Sequence, residues 1–572
     1  MKSFVASLLS ALSLGVVAPP RPADWRLDFG PFEATVETVH AALLTRKATC
    51  RSIVSAFLAQ TETFNPRVNA ILTLNPTALR TADALDIILR DKLAGRHEAE
   101  LELSAVWRNA SATASTMGLP PLFCIPTIVK DNVDTADMPT TGGSLTLSSL
   151  RPDRDAPVLT NLRKAGAILL AKTNMHELAL EGISVSSLGG QTLNPYDLSR
   201  TPGGSSGGTG AGLAMGFGVL GVGTDTMNSI RSPASACGVV GMRPGLGMLD
   251  TDGVMPVSWS QDVVGPLARD VRDVAVMLGV MEGKGVDYTT EFGPEHQADF
   301  SGLNGMRLGV VETFFDRTSA SSDPGVSAVN NVVESMLARL HAAEATLIPI
   351  TNALLNSTVI HSTMDRQVYE FRQAMDAYLS YHHSTTSPDI PASLAALYSA
   401  GSQFLLLPNQ RAQLTQSFYS SPQNMSYATR KALASEVRSA VHSIFSTYTL
   451  DALIYPHQTT LAVPVSSPSQ RGRNGILASV TGFPAISLPA GYSSRTGGAR
   501  AGVPVGVEVL GLPRSEKQLL GLAGRIERVI GGEKRTPPVL WDTKRKNKRY
   551  FNVPVIAPNR KNIPKAYSLG VW

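Results

Sequence analysis

Between Leu122 and Ala171 the chain alternates strand, helix and strand, and that alternation narrows the fold class more than any other feature. Leu122 to Val129 is short, largely apolar and β-branched towards its end, which predicts a buried strand despite Pro126. Pro157 to Lys164 reads as a helix stopped near Gly166, and Ala167 to Ala171 as the strand after it. This order points to an α/β sheet, in which ligands sit beyond the strand ends. Lys130 would stand at the carboxyl end of the first strand.

Two glycine-punctuated stretches follow. Ser205 lies in Pro202-Gly203-Gly204-Ser205-Ser206-Gly207-Gly208, and Ser229 in Gly223-Thr224-Asp225-Thr226-Met227-Asn228-Ser229-Ile230-Arg231. Flanking glycines permit an unusual backbone at Ser205. A lysine and two serines can make a nucleophile without a histidine, provided the lysine is neutral. Its reference pKa is about 10.4, and burial lowers it. The apolar run Ile125 to Val129 offers such a setting, while Asp131 and Asp134 would oppose it if they faced the amine. Taken alone, Lys130 also reads as a surface or salt-bridged lysine, and the glycine run as a plain turn.

Further stretches recur in a fixed order: Asp155-Ala156-Pro157-Val158, Leu162 to Ile168, Lys172-Thr173-Asn174-Met175, Asp262 to Arg269, Thr481-Gly482-Phe483-Pro484-Ala485 and Gly502 to Val507. Together with the Lys130, Ser205 and Ser229 stretches they resemble the amidase signature family of serine hydrolases. The resemblance runs from Phe32 to Pro538. It is strong over 119–278 and 474–527, and weak over a variable region of about 352–470.

The resemblance implies one three-layer α/β/α domain around a large mixed β-sheet. It implies hydrolysis of a carboxamide to acid plus amine or ammonia. Ser229 would be the nucleophile, and Ser205, beside a cis peptide bond, would bridge it to Lys130. The backbone N–H groups of Thr226, Met227, Asn228 and Ser229 would hold the oxyanion. Asp225 and Arg231 would brace the loop as an ion pair, and Ser206 would support the relay by hydrogen bonding. No metal or organic cofactor is implied, and the partner is a small-molecule amide. The chain departs from the family at Met227 and Asn228, where two glycines usually stand. Positive φ would be harder for Met227 than for glycine, so a catalytically silent member stays open.

Two other readings compete. Gly203 to Gly207 fits G-x-S-x-G, which would need a later catalytic histidine such as His341 or His457. A glutamyl-tRNA amidotransferase A-type subunit would share the chemistry but needs intracellular partners and tRNA. A nucleotide-binding loop fits less well, since no Gly-Lys-Ser/Thr follows the glycines.

The 572 residues are 43% hydrophobic and 17% charged, as in a globular chain, and the +5 net charge gives no case for nucleic acid. Lys2 followed by apolar Phe4 to Val17 reads as a signal peptide, residues 1–18, too short for a stable membrane span. Sequons at Asn109, Asn356 and Asn424 fit a secreted glycoprotein. Cys50, Cys124 and Cys237 have no metal spacing; Cys124 and Cys237 are the two expected near each other, and buried small-residue roles are preferred to pairing. Val36 to Gln60 predicts an entry helix or two, and Val326 to Leu340 an amphipathic helix after Pro324. The stretch 352–470 is helical in character. Lys544 to Arg549 makes a basic cluster in a 539–572 extension that reads as a solvated surface tail. Nothing in the sequence fixes an oligomeric state.

Overall fold

The computed structural model describes residues 30–94, 119–292, 302–399, 408–495, 498–531, 536–541 and 550–562. The leader, Asn109 and the basic cluster lie outside them. Thirteen strands are present among the described residues: β1 Ile71–Leu74, β2 Pro126–Lys130, β3 Ile168–Thr173, β4 Val185–Ser186, β5 Gly190–Gln191, β6 Leu220–Asp225, β7 Val240–Arg243, β8 Val263–Ala268, β9 Arg307–Val311, β10 Thr346–Ile350, β11 Ala452–Pro456, β12 Ala485–Tyr492 and β13 Pro504–Leu510. Eleven form one sheet, in the order β1-β3-β2-β6-β8-β7-β12-β13-β11-β9-β10. The pairs β3–β2, β2–β6, β11–β9 and β9–β10 are parallel, and the other pairs antiparallel. This is the mixed sheet that the family resemblance implies.

Strands β2, β3, β6, β7, β8, β11 and β13 are buried along their whole length. Both faces of the sheet centre are therefore covered, which is why these strands read as near-continuous apolar runs. The helix Pro324–Ala342 begins one residue after its cap Asp323 and buries Val326, Val329, Val333, Met336 and Leu340. It packs on β12 and β13, as the periodicity requires.

Three expectations are corrected. The first strand begins at Pro126, because residues 121–124 turn and Cys124 has φ 62°. Cys124 is bonded to Cys50, with Cα atoms 5.3 Å apart, so pairing replaces the small-residue role and Cys237 alone stays free and buried. The 352–470 region is helical only to Tyr448, after which β11 enters the sheet. The entry region forms two helices, Val36–Leu44 and Cys50–Val68, each opened by a threonine capping box at Thr35 and Thr49.

The variable region packs through two small cores. Phe371, Met375, Leu379, Leu397 and Leu414 pack with Leu147, Met175, Leu178 and Met255. Met364, Val437, Val441 and Phe445 pack with Met227, Phe314, Ile476 and Phe483. Residues 550–562 pack against the entry helices and the β4–β5 hairpin. The Arg51 guanidinium donates to Tyr550 O (2.8 Å), Asn559 N–H to Asn69 Oδ1 (2.9 Å), and Asn562 Nδ2 to Gln191 O (2.6 Å).

Candidate active site

Strands β2 and β6 are parallel neighbours, so their carboxyl ends stand side by side. Val129 pairs with Val222, which places Lys130 next to the Thr224 end of β6. Lys130 is fully buried. Its Nζ lies 2.7 Å from Ser205 Oγ, 2.6 Å from Thr224 Oγ1 and 3.5 Å from Thr224 O. Asn132 Nδ2 donates to Thr224 Oγ1 at 3.1 Å and holds that hydroxyl in place. Burial pushes the Lys130 amine down to about 7; Asp225 and Asp262 pull it back up, but by less. A neutral amine has two N–H donors for Thr224 and a lone pair that accepts the Ser205 O–H. Asp131 and Asp134 face away: Asp131 lies 3.6 Å from Lys172, and Asp134 accepts from Tyr378 (2.7 Å) and meets His382 (3.1 Å).

The glycine run ends in the helix Gly207–Ala214. Gly204-Ser205 is a cis peptide bond. Gly203 has φ 73°, and a Cβ there would meet the Ser232 carbonyl oxygen at 2.8 Å, so this position requires glycine. The loop is pinned on several sides. His176 N–H donates to Ser205 O (3.0 Å), Gly208 N–H to Asn174 O (2.9 Å), and Ser184 Oγ to Gly203 O (2.8 Å).

Ser229 sits just beyond the end of β6. Every carbonyl from Asp225 to Ser229 is paired: Asp225 O with Arg243 (2.6 Å), Thr226 O with Ser479 Oγ (2.6 Å), Met227 O with Arg231 (2.7 Å), Asn228 O with Ser232 N (2.7 Å) and Ser229 O with Ser206 N (3.2 Å). By contrast the N–H groups of Thr226, Met227, Asn228 and Ser229 donate to no acceptor among the described residues. The loop thus leaves four backbone donors without an acceptor among the described residues. Neither Met227 nor Asn228 has a positive φ, so the missing glycines are not needed for this backbone. The Ser229 hydroxyl bonds no group among the described residues, so Ser205 and Ser229 are not joined directly. Ser206 supports the backbone rather than the hydroxyls: its N–H holds Ser229 O, and its Oγ donates to Thr224 O at 3.3 Å.

The Asp225–Arg231 pair is fully buried at 3.0 Å and belongs to a larger network. Arg243 also meets Asp225 (3.0 Å), Arg231 reaches Glu508 (2.5 Å), and Glu508 accepts from Tyr455 (2.8 Å) and meets His457 (2.9 Å). Burial alone would raise the Asp225 carboxyl, but Arg231 and Arg243 outweigh it and hold the group well below the usual range. This network braces the loop and takes no part at Ser229 Oγ.

The chain matches the amidase family over residues 97–520. The chain belongs to the amidase family. It is 29% identical to the mandelamide hydrolase of Pseudomonas putida over 520 residues, covering 87% of this chain and 92% of that protein. It is 32% identical to the A-type subunit of the glutamyl-tRNA(Gln) amidotransferase of Symbiobacterium thermophilum over 457 residues, covering 75% and 87%. The native peptide amidase of Stenotrophomonas maltophilia superposes with a TM-score of 0.72 at 29% identity, covering 89% of this chain and 99% of that one.

In this amidase the four residues that carry the free donors line a cavity of about 560 Å³. Its walls include Glu181 and Arg473, which pair, with Thr358, His361 and Gln413 from the variable region. Asn228 Nδ2 is buried and has no partner among the described residues. No histidine ring bonds the Ser205 or Ser206 hydroxyl among the described residues. His341 is exposed near the end of its helix and His457 is held by Glu508, which overturns the G-x-S-x-G alternative. Sequence reasoning missed Thr224, Asn132, Arg243 and Glu508. A signal was present for the last: a lone carboxylate inside the apolar run Val505 to Leu510. None distinguished Thr224, whose role arises from strand register.

Proposed function

We propose that this amidase cleaves its carboxamide through an acyl-enzyme on Ser229, with Ser205 and Lys130 as the proton relay. The carrying observation is the asymmetry at residues 225–229, where all carbonyls are paired and four N–H groups are free. Such preorganised donors stabilise the charge that develops on the attacked carbonyl oxygen, and one of them contributes about 3 kcal/mol. Ser229 Oγ attacks, its proton passes to Ser205, and the Ser205 proton passes to Lys130 Nζ. The gap between the two serines closes when substrate orders the Ser229 hydroxyl, since catalytic hydrogen bonds tighten in the complex. Lys130 then returns a proton to the leaving nitrogen, and water repeats the cycle to free the acid.

The test is intact-protein mass spectrometry after exposure to a fluorophosphonate probe. A single adduct on the peptide holding Ser229, absent in Ser229→Ala together with all turnover, is expected. An adduct on Ser205 or Ser206 instead would overturn the assignment. Lys130→Ala should depress amide hydrolysis far more than hydrolysis of an activated ester, because only the amine leaving group needs the returned proton. Equal losses in the two assays would remove Lys130 from the acid role.

The mandelamide hydrolase and the peptide amidase are named for amides of different kinds, and polar side chains in the mixed cavity wall support an acyl group with hydrogen-bonding capacity. Membership of an amidotransferase complex predicts no turnover by the purified chain alone, so ammonia or amine release without a partner rules it out. A secretory-pathway location is supported by the leader-like amino terminus and by the Cys50–Cys124 disulfide, a bond that persists in oxidising compartments.

A further inference from the structure

The variable region contributes a sequon to the edge of the substrate cavity. Asn356 is exposed and caps the helix Ser357–Met364, its Oδ1 accepting the Val359 N–H at 3.1 Å. Its Nδ2 donates to nothing among the described residues. The next two residues, Ser357 and Thr358, complete the sequon Asn-Ser-Thr and line the cavity that holds Thr226 to Ser229. Thr358, His361 and Ser362 are exposed as well as lining, so this face of the helix forms part of the cavity's opening.

Resting on the secretory-pathway reading above, we infer that Asn356 is an N-glycosylation site whose glycan overhangs the opening and restricts entry to amides with slender acyl groups. The chemistry suits the geometry. Glycosylation uses Nδ2, the atom the helix cap leaves free, and spares Oδ1, the atom the cap uses. The Nδ2–carbon bond forms at the anomeric carbon of an oligosaccharide carried on a lipid pyrophosphate. The bond from that carbon to the pyrophosphate oxygen breaks, the lipid pyrophosphate leaves, and Nδ2 gives up one proton. The glycan's first sugar then stands one residue from the cavity wall. The second described sequon, Asn424-Met425-Ser426, is also exposed and caps a helix, but it does not line the cavity. It reports translocation independently of the site.

The experiment expresses the full chain in a eukaryotic secretory host and maps glycopeptides before and after peptide N-glycosidase. That enzyme leaves aspartate, so Asn356→Asp reproduces the deglycosylated residue and keeps an N-cap acceptor. Glycan on Asn356 is expected. Both Asn356→Asp and enzymatic removal should raise kcat/KM for a bulky acyl amide by about tenfold, in the range of steric discrimination between substrates, and leave a small acyl amide unchanged. Glycan on Asn424 with Asn356 bare would overturn the inference and leave the secretory reading standing. A retained chain bare at both sequons would overturn the secretory reading and the inference with it. Glycan at Asn356 with unchanged kcat/KM for both amides would overturn its role at the opening.

Discussion

Lys130 has no exposed surface, and its amine lies near neutrality in consequence. Two predictions follow different signs of the same shift. As a base it must be neutral, so kcat/KM should rise with pH through about 7, and this limb should disappear in Lys130→Ala; a pH profile of both proteins checks this. For stability, the unfolded lysine titrates at 10.5 and the folded one at about 7, so between those values the unfolded chain binds more protons. Stability therefore rises with pH across that window, and the burial penalty is complete below about 7. Lys130→Met should melt above wild type at pH 6, with the difference shrinking towards pH 10. A difference independent of pH would mean that the lysine is charged when folded. The burial that lowers this amine was legible in the apolar residues before Lys130. That Asp225 and Asp262 rather than Asp131 and Asp134 oppose it was not, because which carboxylates face the amine depends on the fold around the strand.

At the scale of elements, the site depends on β2 and β6 being parallel and adjacent, which the β-α-β order between Leu122 and Ala171 only partly foretold. That order pairs β2 with β3; the insertion of β6 on the other side of β2 comes from strands more distant in sequence. The lower boundary of β2 was also missed, because the turn that ends at Cys124 and its bond to Cys50 reflect a contact between segments 74 residues apart. A crosslink closing such a loop stabilises by about 4 kcal/mol on the chain-entropy account. Cys50→Ser is expected to lower the melting temperature, and wild type in reductant should approach the mutant. If reductant leaves wild type unmoved while the mutant melts lower, the loss comes from packing at Cys50 rather than from the crosslink. The Met227-Asn228 departure, read as a threat to the loop, proves compatible with it, because the four free N–H groups are arranged on a backbone of negative φ at both residues.

Across the whole molecule, distant segments converge on residues 225–229. Arg231 and Arg243 supply two buried positive charges, and Asp225 and Glu508 two negative ones. Removing one partner of a buried pair costs about 3–5 kcal/mol. Glu508→Gln should shorten the half-time of thermal inactivation and reduce turnover together, since Arg231 also carries the Met227 carbonyl. Lost stability with unchanged turnover would show that Arg231 holds the loop without Glu508. The helix from Pro324 and the Lys130, Ser205 and Ser229 motifs were readable because each is local, and the fold class because those motifs carry the family resemblance. This charge balance was not, because its fourth member sits in another strand. Glu508 also emerges from the ribosome long after the three groups it balances. Until then two arginines face a single aspartate, a charge excess that is costly to bury. Closure of residues 225–229 in a dry interior is therefore expected to follow the delivery of β13.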